Sequence, residues 1–423
     1  MENKFETKGF IVWFVCASFF LYEFLLRTIT GTYQHNIMSD LSLTSMQFSL
    51  LSSTIFLVVY GLMQIPVGVI VDNIGLKKSL ILGSICCSIS SFGFANAENY
   101  YFALICRMFM GFGASFGFIG LLISVNDWMP HKYNAIFIGL SQFIGTMGPM
   151  GAAGPLDSLS QDSNITWRYI FIILSIIGLT ITFLSILFVE NNQKKAGGYI
   201  ILYRPEKINI VFRRIFFRPA PWLIAVLSAG MYFAIEYLSA NEGRNFLVAK
   251  GISPRDASYM LSISWIGYAV GCPLFGFLSD MLERRKSVIS IAAIIGLLST
   301  IAIVYLHEAI YLQISFFMLG VSASGQSICF ALVSEQFQKQ YVAAGFGFNN
   351  AMITSASAVL APSIGLLLDT RKTVDVQLVD SYMYVFKILI LMSLIAVIIS
   401  MFFIKETYCK SAVNYTVVKN KYS

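Results

Sequence analysis

The chain has 423 residues, of which 57% are apolar and 12% are charged, and its formal net charge is +7. Soluble domains carry about a quarter charged residues, so this composition excludes an ordinary soluble protein and indicates an integral membrane protein. The seven cysteines and three histidines show no metal-ligand or nucleophile–base spacing, and no nucleotide-binding loop occurs in the sequence. We therefore expect no metal, no cofactor, no catalytic residue and no ATP-driven pump.

Twelve apolar stretches are long enough to cross a bilayer, for which a helix needs roughly 20 residues. Backbone that faces lipid must satisfy its own hydrogen bonds, and these stretches are too long and too uniformly apolar for barrel strands, so all twelve are predicted to be helices. In chain order they occupy residues 10–30, 48–70, 79–97, 101–125, 134–156, 168–189, 221–241, 257–279, 287–305, 309–333, 341–367 and 381–404.

The basic residues are distributed unevenly over this topology. With the N-terminus placed inside, 20 of the 29 Lys and Arg residues fall in cytoplasmic loops and tails, 7 fall on the outer side, and Arg27 and Arg107 lie within helices. This distribution follows the positive-inside rule and predicts that both termini are cytoplasmic. The positive charge thus reflects topology and does not predict a nucleic-acid partner. The expected partners are the lipid bilayer and a small-molecule substrate, and the protein is expected to be a monomer.

A short motif occurs twice, at an offset of 208 residues. The first copy is GVIVDNIGLKK at 68–78 and the second is GFLSDMLERRK at 276–286, each between two apolar stretches. A repeat at half the chain length predicts two related halves. The motif resembles the signature between the second and third helices of the major facilitator superfamily of secondary transporters. In the second copy, Glu283 occupies the place of the second glycine.

This resemblance implies an all-α membrane protein with the major facilitator fold, in which twelve transmembrane helices form two six-helix pseudo-symmetric bundles. It divides the chain into an N-terminal six-helix bundle (1–190), a cytoplasmic linker (191–220) and a C-terminal six-helix bundle with a short cytoplasmic tail (221–423).

The resemblance also implies an inner gate, because in the family the motif aspartate faces the start of a helix in the other bundle. A turn with positive-inside anchors is the simpler interpretation, but it explains the basic residues and not the aspartates, which are unfavourable at a helix C-terminus unless they cap or pair. The gating candidates are Asp72, Lys77 and Lys78, with Asp280, Arg284 and Arg285 as weaker counterparts.

Four charged side chains are predicted inside the membrane. Glu23 and Arg27 lie in the last third of helix 1, Glu236 lies in the last third of helix 7, and Arg107 lies in the first third of the oppositely directed helix 4. A rise of 1.5 Å per residue places all four at similar heights in the outer half of the bilayer. Arg107 also opens an Arg-x-x-x-Gly-x-Gly stretch that resembles the helix-4 motif of the superfamily, in which helices 1, 4, 7 and 10 line the central cavity.

A cavity that holds charges of both signs suits a zwitterion, because arginine binds a carboxylate and glutamate binds an ammonium group. We predict that Arg107, with Arg27, binds the substrate carboxylate, and that Glu23 or Glu236 carries a coupling proton or holds the amine. In the alternative interpretation, ion pairs Glu23–Arg107 and Arg27–Glu236 hold the outer gate. Additional substrate-binding candidates within the helices are Tyr22, Gln142, Tyr232, Trp265 and Asn349.

The first half looks like the phagosomal nutrient transporters of intracellular bacteria, on the strength of YE at 22–23, CRMFMGFG at 106–113 and WMP at 128–130. This resemblance implies an amino-acid or dipeptide permease of the bacterial inner membrane, with symport of protons as the candidate coupling. The sequence GPMG at 148–151 partly resembles a helix-5 motif of drug/proton antiporters, so proton-driven export of a drug or siderophore is the alternative. A non-transporting sensor is disfavoured by the intact signature, and an enzyme is not expected.

Overall fold

The computed structural model describes residues 7–43, 47–48, 50–153, 166–191, 195–196, 199–200, 216–337, 341–372 and 378–410. All twelve apolar stretches are helical where they are described. The long helices are helix 1 Thr7–Thr32, helix 2 Ile55–Ile74, helix 3 Leu76–Ala95, helix 4 Tyr100–Trp128, helix 5 Asn134–Ala153, helix 6 Trp167–Phe188, helix 7 Pro219–Ala240, helix 8 Pro254–Leu282, helix 9 Arg285–Tyr305, helix 10 Ala309–Ala323 with Gln326–Gln336, helix 11 Val342–Lys372, and helix 12 Leu378–Val385 with Lys387–Ile398.

Shorter elements join or extend these helices. A π-helical turn precedes helix 2, and another follows helix 12. The described part of the region expected to be a linker includes an antiparallel pair of two-residue strands, β1 and β2. The shorter elements are the helices Gln34–Asp40 and Gly243–Ala249, the 3₁₀ turn His131–Tyr133, the π-helical turns Leu50–Thr54 and Ile399–Phe403, and the strands β1 Lys195–Ala196 and β2 Tyr199–Ile200.

Eleven of the described helical segments are long and apolar enough to span a membrane, and helix 11 is not among them. Helix 11 is poorer in large apolar side chains because it carries small and polar residues along much of its length, including Asn349, Asn350 and Ser357. Polar side chains at membrane depth are expensive unless they face the protein interior. Asn349 and Asn350 are buried, which is consistent with a helix that faces other helices on its polar side.

The turn between the second and third helices of each half contains a residue with a positive φ angle. Gly75, between helices 2 and 3, has φ +87°, and Glu283, at the same position of the second repeat, has φ +51°. Glycine adopts this conformation without a steric penalty, whereas an L side chain costs about 1–2 kcal/mol. The second repeat therefore has a positive φ at this position without a glycine, although the ψ angles differ, at 163° for Gly75 and 35° for Glu283.

The two halves pack closely at the repeated motif. A Cβ atom built at Gly68 would lie 2.6 Å from the carbonyl oxygen of Ala343 at the start of helix 11, and one built at Gly276 would overlap the carbonyl oxygen of Ala135 at the start of helix 5. Both contacts join helices from different halves, and they are related by the same offset of 208 residues as the motif. The repeat in the sequence is thus matched by a two-fold repeat of contacts.

Candidate inner gate and substrate site

Each motif aspartate caps the first turn of a helix in the opposite half. An Asp72 carboxylate oxygen accepts a hydrogen bond of 3.4 Å from the main-chain N–H of Ala344, the third residue of helix 11. An Asp280 oxygen accepts one of 2.7 Å from the N–H of Ile136, the third residue of helix 5. Unpaired N–H groups and the helix dipole favour a carboxylate at this position. The contact that the resemblance implies is therefore present in both halves.

The basic residues of the second motif have different environments. Arg285 is completely buried, is paired with Asp280, and lies 2.9 Å from a Glu335 carboxylate oxygen at the inner end of helix 10. It also donates a 3.0 Å hydrogen bond to the Ser279 hydroxyl. Arg284, by contrast, is exposed. The sequence singled out both arginines and missed Glu335, although an acid at the end of an apolar helix is a visible signal.

In the first motif, neither lysine is bonded to Asp72 in the described structure. The Lys77 ammonium group donates a 2.7 Å hydrogen bond to the carbonyl oxygen of Ile186, near the C-terminal end of helix 6, where a cation is favoured by the dipole. Lys78 is exposed. The two copies of the motif therefore share the aspartate contact but use their basic residues differently.

The segment that follows helix 12 is part of this inner cluster. The Glu406 carboxylate accepts hydrogen bonds from the main-chain N–H groups of Arg285, at 2.8 Å, and Lys286, at 3.0 Å, and so caps helix 9. The Thr407 hydroxyl donates to Glu335. Nothing in the sequence singled out these two residues, since a polar tail after the last helix is usual.

An ion pair joins the two halves at the height predicted for the buried charges. Arg27 Nη2 of helix 1 lies 2.9 Å from Glu236 Oε1 of helix 7. The two side chains are 24% and 15% exposed, so both are partly accessible. The second Glu236 oxygen accepts a hydrogen bond from the hydroxyl of Ser357 on helix 11. The Arg27–Glu236 pair of the alternative interpretation is therefore formed, and Ser357 is an additional member that the sequence did not single out.

Arg107 has a different environment from the one expected. It is fully buried, and its guanidinium group donates to three main-chain carbonyl oxygens, those of Leu51 at 3.2 Å, Leu26 at 3.0 Å and Ser52 at 2.6 Å. Two of these carbonyls belong to the π-helical turn before helix 2. The described residues give Arg107 no carboxylate partner, so the Glu23–Arg107 ion pair of the alternative interpretation is not formed.

Glu23 is the remaining buried charge of this region. It is 2% exposed, and its side chain lies against Gly117 of helix 4, where a Cβ atom would be 2.8 Å from Glu23 Cγ. Among the described residues, no donor makes a hydrogen bond to its carboxylate group, and no cation forms an ion pair with it. Arg27, four residues further along the same helix face, is paired with Glu236 instead.

The aromatic candidates form a group in the second half. The Tyr232 ring lies 6.3 Å from the Trp265 ring and 5.7 Å from the Tyr268 ring, centroid to centroid. The Tyr268 hydroxyl donates a 3.1 Å hydrogen bond to Gln326 of helix 10. Tyr232 lies one helical turn before Glu236 on helix 7. This aromatic group is therefore adjacent to the central ion pair on the side of the second half.

The other candidates are buried within helix packing. Asn349 accepts a 2.9 Å hydrogen bond from the Ser228 hydroxyl, and no described residue makes a hydrogen bond with its buried amide nitrogen. Gln142 is buried on helix 5. Tyr22 points towards Gly178 of helix 6, within the first half, and its side chain is buried.

A second polar contact between the halves lies below the ion pair. Asn350 of helix 11 donates a 2.7 Å hydrogen bond to the side-chain oxygen of Gln64 and a 3.3 Å one to the Tyr60 hydroxyl, both on helix 2. All three side chains are buried. Gln64 and Tyr60 were not singled out from the sequence, although a glutamine in an apolar helix was a usable signal.

Two glycines of helix 5, Gly145 and Gly148, lie at close contacts with helix 1. A Cβ atom at Gly145 would overlap the ring of Phe20, and one at Gly148 would lie 2.7 Å from the carbonyl oxygen of Leu21. Both contacts hold helix 5 against helix 1. Small residues at such positions allow membrane helices to approach closely.

Comparison with known proteins identifies the family to which this architecture belongs. The family model described as Major Facilitator Superfamily matches residues 15–247 and 245–416, which together span most of the chain. The chain belongs to the Major Facilitator Superfamily. Among solved structures, the superfamily proton:xylose symporter XylE is similar with a TM-score of 0.74 at 15% identity, over 96% of this chain and 98% of that one. The predicted all-α major facilitator fold is thereby confirmed.

Three curated relatives are similar to this chain in sequence. A hexuronate transporter of Bacillus subtilis is 25% identical and covers 80% of this chain and 82% of its own length. A probable sulfoacetate transporter, SauU, of Cupriavidus necator is 22% identical, over 76% of this chain and 79% of its own. The lysosomal dipeptide transporter MFSD1 of Danio rerio is 28% identical over 36% of this chain and 32% of its own.

Membership of the superfamily establishes the general activity. This superfamily member is an integral, multi-pass membrane protein and a secondary transporter of a small solute, and it is not an enzyme.

Proposed function

We propose that this superfamily member moves a small organic carboxylate by alternating access, with amino acids and short peptides as the favoured class and protons as the coupling ion. The observation that carries the proposal is the partly accessible Arg27–Glu236 ion pair between helices 1 and 7. Arg107, the second arginine predicted to lie inside the membrane, is fully buried. We assign it the role of fastening helix 4 to helices 1 and 2.

Arg27 has the donors that a carboxylate requires. Only its Nη2 atom bonds Glu236, and no described residue accepts a hydrogen bond from its Nε or Nη1 atom. A guanidinium group binds a carboxylate through two parallel hydrogen bonds, which gives both affinity and orientation. A substrate carboxylate could therefore bind the unused edge of Arg27 or displace Glu236 from it.

Glu236 completes a site for a zwitterion. When a substrate carboxylate takes Arg27, the Glu236 carboxylate is left beside Ser357 and is available to an ammonium group. A zwitterion between the two side chains would contact helix 1 of one half and helix 7 of the other. Binding would then replace a direct contact between the halves by a substrate-mediated one, as alternating access requires. The aromatic group Tyr232, Trp265 and Tyr268, together with Asn349, is proposed to line the same site.

The relatives support a carboxylate, because hexuronates, sulfoacetate and dipeptides all bear one. Proton-driven export of a drug or siderophore stays the alternative; two of the helix-5 glycines, Gly145 and Gly148, are accounted for by packing against helix 1. We also propose that the chain consists of the bundles 1–190 and 221–423 joined by the linker 191–220, with both termini cytoplasmic. The protein is proposed to be a monomer in a bacterial inner membrane. The proposal also includes an inner gate at the two motif copies.

The test is uptake into proteoliposomes of a labelled panel that contains L-amino acids, dipeptides, glucuronate and sulfoacetate, with and without an inward proton gradient. We expect one carboxylate class to be taken up, and Arg27→Gln to raise its half-saturation concentration by roughly 30-fold, because a hydrogen-bonded charge contributes about 2 kcal/mol. Lys132→Gln is the matched control, since it removes an exposed cation from the loop before helix 5. Uptake that is equally good in Arg27→Gln would overturn the proposal.

A further inference from the structure

The two acidic side chains beside Arg27 have contrasting environments. Glu236 is partly accessible, is paired with Arg27 and accepts a hydrogen bond from Ser357. Glu23 is 2% exposed and has neither an ion pair nor a hydrogen bond among the described residues. Two carboxylates with opposed environments around one arginine indicate two roles, one ionised and one neutral.

Arg27 is close enough to Glu23 to interact with it electrostatically, but its ion pair is with Glu236. The other described surroundings of Glu23 supply no cation that pairs with it in this arrangement. Helix 2 contributes the Tyr60 phenol and helix 3 contributes the Cys87 thiol, both close enough to interact with it electrostatically. Arg107 of helix 4 is engaged by three carbonyl oxygens. Helix 5 has no ionisable side chain. In helix 6 the ionisable side chains, Arg168 and Tyr169, lie at its start, which is its predicted outer end.

An isolated ionised carboxylate is expensive in a water-excluded site, whereas a neutral carboxylic acid is not. Glu23 also lies about 6 Å deeper than Arg27, since four residues separate them and helix 1 rises 1.5 Å per residue towards the outer side. The Arg27 side chain, on the same helix face, is the cation that an ionised Glu23 would attract.

We propose that Glu23 carries the coupling proton and that Arg27 transmits its ionisation to the substrate. This inference rests on the proposed function. With the carrier open to the outside, Glu23 holds a proton and Arg27 binds the substrate carboxylate. With the carrier open to the inside, the Glu23 carboxyl O–H transfers its proton to water, and the resulting carboxylate attracts Arg27. The substrate carboxylate then loses its partner and leaves, and the empty carrier returns with Glu23 and Arg27 paired. On the outer side Glu23 takes up a proton from water, which releases Arg27 to the pair with Glu236 seen here.

Glu236 has a separate role in this scheme. It holds Arg27 in the substrate-free arrangement seen here, and it accepts the substrate ammonium group when the carboxylate takes Arg27. Proton coupling and substrate binding are therefore assigned to different carboxylates. Because both act through Arg27, protonation changes the affinity for the substrate by the same factor as the substrate changes the affinity for the proton.

The test measures exchange and accumulation of a solute separately in proteoliposomes. The solute is the panel member that the wild-type protein exchanges fastest, and potassium with valinomycin clamps the membrane potential. An inward gradient of one pH unit should drive about tenfold accumulation by the wild type if one proton accompanies each solute. Glu23→Gln should retain exchange but only equilibrate the solute, and Glu23→Asp should recover part of the accumulation. Infrared spectra should show a buried carboxylic-acid band that is lost in Glu23→Gln and kept in Glu236→Gln.

The outcomes distinguish this inference from the proposed function. Wild-type-like accumulation by Glu23→Gln would overturn the inference and leave the proposed function intact. Loss of exchange in a folded Glu23→Gln protein would also overturn it, because Glu23 would then be needed for binding. A wild-type protein that exchanges no panel member would overturn both.

Discussion

The Asp280 carboxylate accepts a 2.7 Å hydrogen bond from the main-chain N–H of Ile136, which lies in the other half of the molecule. The Asp72–Ala344 contact is its counterpart, displaced by 208 residues in both partners. Each half thus places a carboxylate on the first turn of a helix in the other. Because these contacts must break when the inner side opens, we assign them to the inner gate.

The buried arginine of this gate gives a first prediction. Asp280→Asn should lower the free energy of unfolding by about 3–5 kcal/mol, because removal of one partner leaves the buried Arg285 charge incompletely paired. Chemical unfolding in detergent measures the effect. Arg284→Gln, at the exposed neighbouring position, is the control and should be nearly neutral. Equal effects of the two substitutions would contradict the assignment.

A substitution of Arg107 distinguishes a structural role of this residue from a role in substrate binding. Arg107→Lys keeps the charge, but its single nitrogen atom cannot reach the three carbonyl oxygens that Nε, Nη1 and Nη2 contact separately. We therefore expect a loss of about 3 kcal/mol of stability. The half-saturation concentration of the remaining folded protein should stay close to that of the wild type. A variant of normal stability that no longer binds substrate would instead show that Arg107 contacts it.

The left-handed turn of the second repeat offers a stabilising substitution. Glu283→Gly should raise the free energy of unfolding by about 1 kcal/mol, because glycine adopts the positive φ of this position without strain. Glu308→Gly is a suitable comparison, since Glu308 is also exposed and precedes a helix but has φ −67°. A gain at both positions, or at neither, would argue against backbone strain at Glu283.

Cys409, beyond the last helix, gives a prediction about pH. Burial raises the pKa of its thiol from 9.0 to about 12, and only the thiolate reacts with alkylating reagents. At pH 8 its alkylation should therefore be roughly a thousandfold slower than that of an exposed thiol, and the rate should rise tenfold per pH unit. Mass spectrometry of the folded protein and of the same protein unfolded in SDS measures the ratio. A ratio close to one would show that the segment after helix 12 does not lie against the gate.

The sequence was informative where the two halves repeat each other. The motif copies at 68–78 and 276–286 predicted two related halves, and their resemblance to the superfamily signature implied the fold and the aspartate contacts. The use of Arg285 with Glu335 could not be predicted, since their helices, 9 and 10, approach only in the folded bundle.

The central site departs from the repeat, and prediction was weaker there. The positions 208 residues after Glu23 and Arg27 hold Met231 and Ile235, so no counterpart indicated their partners. Helix direction placed Arg27 and Glu236 at one height, and the structure pairs them. The same reasoning placed Arg107 at that height, but the carbonyl oxygens before helix 2 engage it, and a π-helical turn is not visible in the sequence.

The most direct test of a substrate-binding role for the central ion pair is exchange transport by the charge-swapped variant Arg27→Glu/Glu236→Arg. If the pair binds a substrate carboxylate through helix 1, the swap should restore thermal stability relative to either single substitution, while exchange of the panel stays at least about tenfold below the wild type. Restoration of both stability and exchange would contradict this claim, because it would show that the pair serves only to hold the two halves together.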